Sequence, residues 1–99
     1  MIEVQLENER GRELVVNRFP FVIGRHHDCD LQLAGPSVSR VHCWLRLRGE
    51  FVFLEDLEST NGTYLNGRRL QASEGLREGD QVGVFPSSFR VSSIRSTSL

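Results

Sequence analysis

The stretch Val41-His42-Cys43-Trp44-Leu45-Arg46-Leu47-Arg48 decides the fold. Val41, Cys43, Leu45 and Leu47 fall at every second position, with His42, Trp44, Arg46 and Arg48 between them. Successive side chains of a strand point to opposite faces, so a period of two with one apolar face predicts a half-buried β-strand. Gly49-Glu50 then separates it from Phe51-Val52-Phe53-Leu54, which predicts a hairpin.

The same period extends in both directions. Toward the N-terminus, Ile2, Val4 and Leu6 alternate with Glu3 and Gln5, and Leu14 and Val16 resume the pattern after a turn-like Asn8 to Gly11. Phe19-Pro20-Phe21-Val22-Ile23 predicts a further strand whose proline favours an edge or an entry point, and Leu31 and Leu33 mark a short one. Toward the C-terminus, Thr63-Tyr64-Leu65 and Arg68-Arg69-Leu70 flank Asn66-Gly67, a pair suited to a type I′ hairpin turn. Residues 81–85 and 89–94 form a third hairpin through Pro86-Ser87-Ser88. About ten or eleven short strands with frequent turn signals, and no long helical pattern, give an all-β sandwich. The last five residues, Arg95-Ser96-Thr97-Ser98-Leu99, read as a Ser-rich tail or the start of a linker, leaving residues 1–94 as the domain.

With 99 residues the chain holds one domain. Its 12 basic residues are all arginine and face 13 carboxylates, for a net charge of −1. That balance argues against nucleic acid or an anionic membrane as the main partner, since both call for a clear positive excess. Trp44 with Arg46 and Arg48 is accordingly read as a solvated sheet face. No apolar run approaches the roughly 18 residues of a bilayer span, and the first residues carry no signal-peptide core. Cys29 and Cys43 read as free thiols of a reducing compartment, so the expectation is a soluble, intracellular, cytoplasmic domain.

Ordered loops at the ends of a sandwich are where binding residues concentrate. Three loops here are dense in polar groups: Gly24-Arg25-His26-His27, Ser37-Val38-Ser39-Arg40, and Glu58-Ser59-Thr60-Asn61-Gly62-Thr63. They offer guanidinium groups, hydroxyls, an amide and backbone N–H groups, mostly donors, with no matched pair of carboxylates. Such a set suits a phosphate, whose oxygens fit the planar fork of arginine. A phosphorylated side chain carries about −1.5 to −2 charge at pH 7 and three acceptor oxygens, so several donors have to converge on it.

Gly24-Arg25, Ser39-Arg40-Val41-His42, Ser59-Thr60-Asn61-Gly62-Thr63, Asn66-Gly67 and Gly79-Asp80, in this order and spacing, resemble the forkhead-associated (FHA) domain over residues from about 20 to 91. Each piece alone is common; five in register are specific. The resemblance implies an eleven-stranded β-sandwich of the SMAD/FHA-like type that binds phosphothreonine peptides through loops at one end, a phospho-motif mode of recognition. It implies that Arg25 and Ser39 contact the phosphate, that Arg40 adds a phosphate contact, that Thr60 sits beside the phosphothreonine, and that Asn61 holds the peptide backbone. Gly24, His42 and Gly62 match positions that shape the loops, His42 through a structural hydrogen bond to the Thr60 loop. The implied partner is a protein segment phosphorylated by a Ser/Thr kinase, with no enzyme activity, cofactor or metal.

Other readings are weaker. A Ser39–His42–Asp56 hydrolase lacks the Gly-x-Ser-x-Gly elbow. A metal site drawn from His26, His27, Cys29, Asp30, His42 and Cys43 is hard to close, because Cys43 faces the core side of its strand and His42 does not. The principal alternative is a phosphate-independent interaction or self-association module on the same fold. A phosphorylated Thr97 in the tail docking into a second copy is a further, minor expectation.

Overall fold

A computed structural model describes residues 1–97. Eleven strands occur in the order β1 (Ile2–Asn8), β2 (Glu13–Val16), β3 (Phe21–Gly24), β4 (Leu31–Gln32), β5 (Cys43–Arg48), β6 (Phe51–Asp56), β7 (Tyr64–Leu65), β8 (Arg68–Arg69), β9 (Glu74–Gly75), β10 (Gln81–Val84) and β11 (Ser87–Ser96). They form one sheet in the order β2-β1-β11-β10-β7-β8 and another in the order β4-β3-β5-β6-β9. Alternate residues of both close the core: Val4, Leu6, Val82, Val84 and Val91 from the first sheet, Ile23, Cys43, Leu45 and Leu54 from the second, none above 1 % exposed. Truncating one of these leucines to alanine costs about 2–5 kcal/mol through lost transfer energy and the cavity left behind.

The pairing determines where the loops emerge. β3 and β5 are antiparallel with Ile23 opposite Cys43, and β5 and β6 are antiparallel with Cys43 opposite Asp56. The end of β3, the start of β5 and the end of β6 therefore lie together at one end of the second sheet. All three donor-rich loops leave from that end. The last of them, residues 57–63, crosses to the first sheet at β7.

Several local expectations shift. Val41, expected on the inner face of the long strand, is 49 % exposed, because the regular ladder begins only at Cys43 and Val41 belongs to the loop before it. Phe19 and Pro20 precede β3, and Ser87 and Ser88 belong to β11, so the third hairpin turns on Phe85-Pro86 alone. Glu74–Gly75 escaped the sequence pattern: two residues pair with β6 through Leu54 and Phe53, and a segment so short shows no period. The strand also runs past the expected boundary at residue 94. Arg95 and Ser96 pair with Glu3 and Ile2, and Thr97 exchanges backbone hydrogen bonds with Met1. Of the expected tail, residues 98 and 99 lie outside the described residues.

Candidate functional site: three loops at one end of the sandwich

Gly24 closes β3 where nothing larger fits. A Cβ built there would stand 2.3 Å from the Arg40 carbonyl oxygen and 2.9 Å from Cys29 Sγ. This close approach lets the first two loops run side by side, with the Arg25 and His26 backbone N–H groups donating to the carbonyls of Ser39 and Arg40 at 2.9 and 3.1 Å.

His42 ties the second loop to the third. It is 1 % exposed. Its Nδ1 accepts from the Ser39 backbone N–H at 3.1 Å, so Nε2 carries the proton and donates to the Gly62 carbonyl at 2.9 Å. The imidazole therefore bridges the second and third loops by two hydrogen bonds. Its pattern also dismantles the hydrolase reading: the Ser39 hydroxyl is not bonded to the ring, and Asp56 is engaged elsewhere.

Beneath the third loop, Asp56 accepts from the hydroxyls of Ser59 and Thr63, the latter at 2.7 Å, and from the Ser59 backbone N–H at 3.1 Å. Ser59 Oγ in turn accepts from Gly62 N–H at 2.9 Å. Burial pushes the Asp56 carboxyl up, but the hydrogen bonds from Ser59 and Thr63 outweigh it, and its pKa falls below the usual carboxylate value. Gly62 holds φ +89°, a left-handed conformation that glycine adopts without steric cost. The sequence pattern alone shows Ser59 and Thr63 only as motif neighbours and does not reveal this network. Hydroxyls at 59 and 63 following a carboxylate at 56 were the available signal.

The outer layer is built differently. Arg25, Arg40, Thr60 and Asn61 are exposed and Ser39 is half-buried. Arg25 Nε donates to the Val38 carbonyl at 2.9 Å, which fixes the side chain, and among the described residues its four terminal guanidinium N–H groups make no hydrogen bond. Ser39 Oγ accepts from the Thr60 backbone N–H at 3.0 Å, so its own proton can be donated outward. Asn61 Nδ2 donates to the Ser37 carbonyl at 2.8 Å, leaving its second amide hydrogen and its oxygen unengaged by that bond. Arg40 is seated by its carbonyl rather than its side chain, since that oxygen accepts from His26 N–H and Cys29 Sγ. Among the described residues no carboxylate pairs with Arg25 or Arg40.

Other singled-out groups lie apart from these donors or are occupied. Trp44 Nε1 donates to Glu55 at 2.7 Å, Arg46 forms an ion pair with the same carboxylate although its buried Nε makes no hydrogen bond, and Arg48 lies over the Phe53 ring, so these side chains are engaged with neighbours on their own sheet face. His26 and His27 stack with centroids 4.3 Å apart, each within 4 Å of the Asp28 carboxylate. Cys43 is buried and its thiol pushed up to about 12 by desolvation; Cys29 is raised for the same reason. No helix among the described residues is long and apolar enough to cross a membrane.

Fold and site together define a two-sheet β-sandwich module whose donor-rich rim is carried on three loops at one end and held by a buried hydrogen-bonded layer. The FHA domain family model matches residues 21–84, and the chain belongs to the FHA domain family. Similarity to known proteins agrees. The chain is 35 % identical over 81 residues to the FHA domain-containing protein FhaA of Mycobacterium tuberculosis, covering 82 % of this chain and 15 % of that protein. Its structure superimposes with a TM-score of 0.85 and 28 % identity on Mycobacterium tuberculosis EmbR in complex with a low-affinity phosphopeptide, over 89 % of this chain and 24 % of that one. It matches with a TM-score of 0.80 and 30 % identity an FHA domain solved in a study of phosphothreonine-dependent FHA interactions, over 98 % and 99 % of the two chains. The chain spans between 2 and 15 % of the length of the first three curated relatives that it matches.

Proposed function

We propose that the domain binds phosphothreonine in an extended segment of a partner protein and so makes the interaction depend on a Ser/Thr kinase. The observation that carries this is the split use of the rim groups. The side chains of Arg25, Ser39 and Asn61 each make one internal hydrogen bond that orients them, and each keeps a donor available at the loop end. Donors oriented in advance bind an anion without the cost of ordering it afterwards. In this reading Arg25 and Ser39 hold the phosphate, Arg40 adds charge, Thr60 lies beside the phosphothreonine, and Asn61 fixes the peptide backbone. Gly24, His42 and Gly62 hold the loops. The solved relatives bound to phosphopeptide, or described as phosphothreonine-dependent, support the phosphopeptide reading as a whole.

The contact is small, so the affinity is on the order of micromolar, about −8 kcal/mol. Kinase-made phosphothreonine places the domain inside the cell. Titration with a degenerate phosphothreonine peptide library and its dephosphorylated copy tests the reading. Binding confined to the phosphorylated set is expected; equal binding by both sets means the sandwich works as a phosphate-independent module.

A further inference from the structure

The outer face of the second sheet carries groups that the loop end does not use. Cys43, Leu45 and Leu54 point into the core, so the residues alternating with them point away from it. Three ladder pairs make up this face: Trp44 with Glu55, Arg46 with Phe53, and Arg48 with Phe51. Phe19, Pro20, Trp44, Arg46 and Leu47 line an open cavity of about 350 Å³ between β5 and the entry to β3. Phe51, at the β5–β6 hairpin, is 71 % exposed, more than any other phenylalanine among the described residues. It lies on the other side of β5, so two strand spacings put it about 10 Å from the cavity. Between these two apolar points stand Arg46 and Arg48. Glu55 Oε1, 2.7 Å from Arg46 Nε, already accepts the Trp44 indole N–H, and that Nε makes no hydrogen bond. Arg48 lies over the Phe53 ring at 5.4 Å, and among the described residues no carboxylate stands within 4 Å of it. Arg18, one residue before Phe19, is exposed, as is Glu50 in the hairpin turn. Three arginines thus face two carboxylates, one of them already bonded to Trp44.

We infer that this face docks an acidic amphipathic helix of a partner protein, with apolar side chains at positions i and i+7 and carboxylates at i+3 and i+4. Those four positions share one helix face, and seven residues of helix span about 10 Å, the separation of the cavity from Phe51. One apolar side chain fills the cavity and the other covers Phe51. The carboxylates between them meet the guanidinium edges of Arg46 and Arg48 in paired hydrogen bonds. An apolar anchor seated in a pocket is the usual energetic centre of an interface, and the excess of arginine selects the sign of the partner. A second copy of this chain is a poor occupant. A two-fold axis passing between Phe51 and the cavity would set Arg46 and Arg48 against their own copies. Nucleic acid is poor too, because the chain as a whole carries a net charge of −1. Docking on this face leaves the donor-rich loops open, so one partner can hold the domain at both places and gain affinity from the second contact.

Trp44 is the sole tryptophan and lines the cavity, so its fluorescence and its indole N–H resonance report on this face directly. The probe is an unphosphorylated, end-capped helical peptide of about 16 residues built on Ala and Gln, with Phe at i and i+7 and Glu at i+3 and i+4. One control replaces both Phe by Ala, a second replaces both Glu by Lys, and a third arm is a single-stranded thymidine oligonucleotide. At low salt the probe should perturb Trp44 and bind at least about threefold more tightly than either control peptide. Phe51→Ala should weaken the probe by about threefold or more. Arg48→Gln should remove the preference for Glu over Lys, and Arg48→Glu should reverse it. Both positions are exposed, so all three variants should melt near wild type and bind a phosphothreonine peptide unchanged. A silent Trp44, an equal response to the three peptides, a Glu preference that survives Arg48→Gln, or a response to the oligonucleotide alone overturns the docking surface. No phosphopeptide enters the Trp44 titrations, so their outcome is decided apart from the phosphothreonine reading.

Discussion

The loop end of the sandwich has two layers that differ in almost every physical respect. The inner layer, Gly24, His42 and Gly62 with Asp56, Ser59 and Thr63 beneath, is largely buried and fully engaged: each polar group has a partner inside the protein. The outer layer, Arg25, Ser39, Arg40, Thr60 and Asn61, faces solvent and is only half engaged. Buried polar groups are costly unless satisfied, so the inner residues have few acceptable substitutes and act through stability. Exposed groups cost the fold little when altered, and under the proposed function they act through the ligand. A site of this kind separates holding from touching, and substitutions in the two layers should separate the same way.

The largest expected effect is in the outer layer. Arg25→Ala should weaken phosphothreonine-peptide binding by about 2–5 kcal/mol, because it leaves a partly desolvated phosphate without its main charge partner. Its melting temperature should fall by only about 4 °C, since only the Nε bond to Val38 is lost, worth about 1 kcal/mol. Calorimetry beside a denaturant melt checks both; a variant that unfolds instead would erase the distinction between layers.

Gly24→Ala should do the reverse. The obstacle to its Cβ is the Arg40 backbone, which cannot swing aside like a side chain, so overpacking of about 3 kcal/mol is expected in urea denaturation. His42→Ala should cost about 2 kcal/mol by leaving Ser39 N–H and Gly62 C=O unpaired, and should loosen peptide binding only through the displaced loops.

The smallest effect is in pH dependence. Asp56 has a folded pKa below its unfolded value, so its contribution is complete above the ordinary aspartate pKa, about 3.9, and is lost as pH falls from there through the lowered folded value. Melts between neutral and acid pH should therefore show a steeper acid decline for wild type than for Asp56→Asn. Parallel curves would mean that the Ser59 and Thr63 hydroxyls do not select the charged carboxylate.

These layers were unequally legible in the sequence. The strand frame could be read because period-two alternation at Cys43, Leu45, Val52 and Leu54 reflects burial itself, and Asn66-Gly67 spelled its own turn, with φ of 53° and 83°. The outer residues were legible as a motif. Their orientation was not, because the bonds of Arg25 to Val38 and Asn61 to Ser37 span 13 and 24 residues. The Asp56 network hid for the opposite reason: its hydroxyls look like ordinary loop polarity until the fold buries them. Glu74–Gly75 and the continuation of β11 to Ser96 were illegible because both depend on a neighbouring strand offering an edge, not on any apolar pattern of their own.

The measurement that tests the division most directly is amide and side-chain chemical-shift mapping by NMR as a library-selected phosphothreonine peptide is titrated in. The account predicts the largest shifts at Arg25, Ser39, Arg40, Thr60 and Asn61, with the β-sheet ladders away from the loop end unchanged, and none on adding the unphosphorylated peptide. Shifts centred instead on the face around Phe19, Trp44 and Leu47, or equal shifts with both peptides, would contradict it.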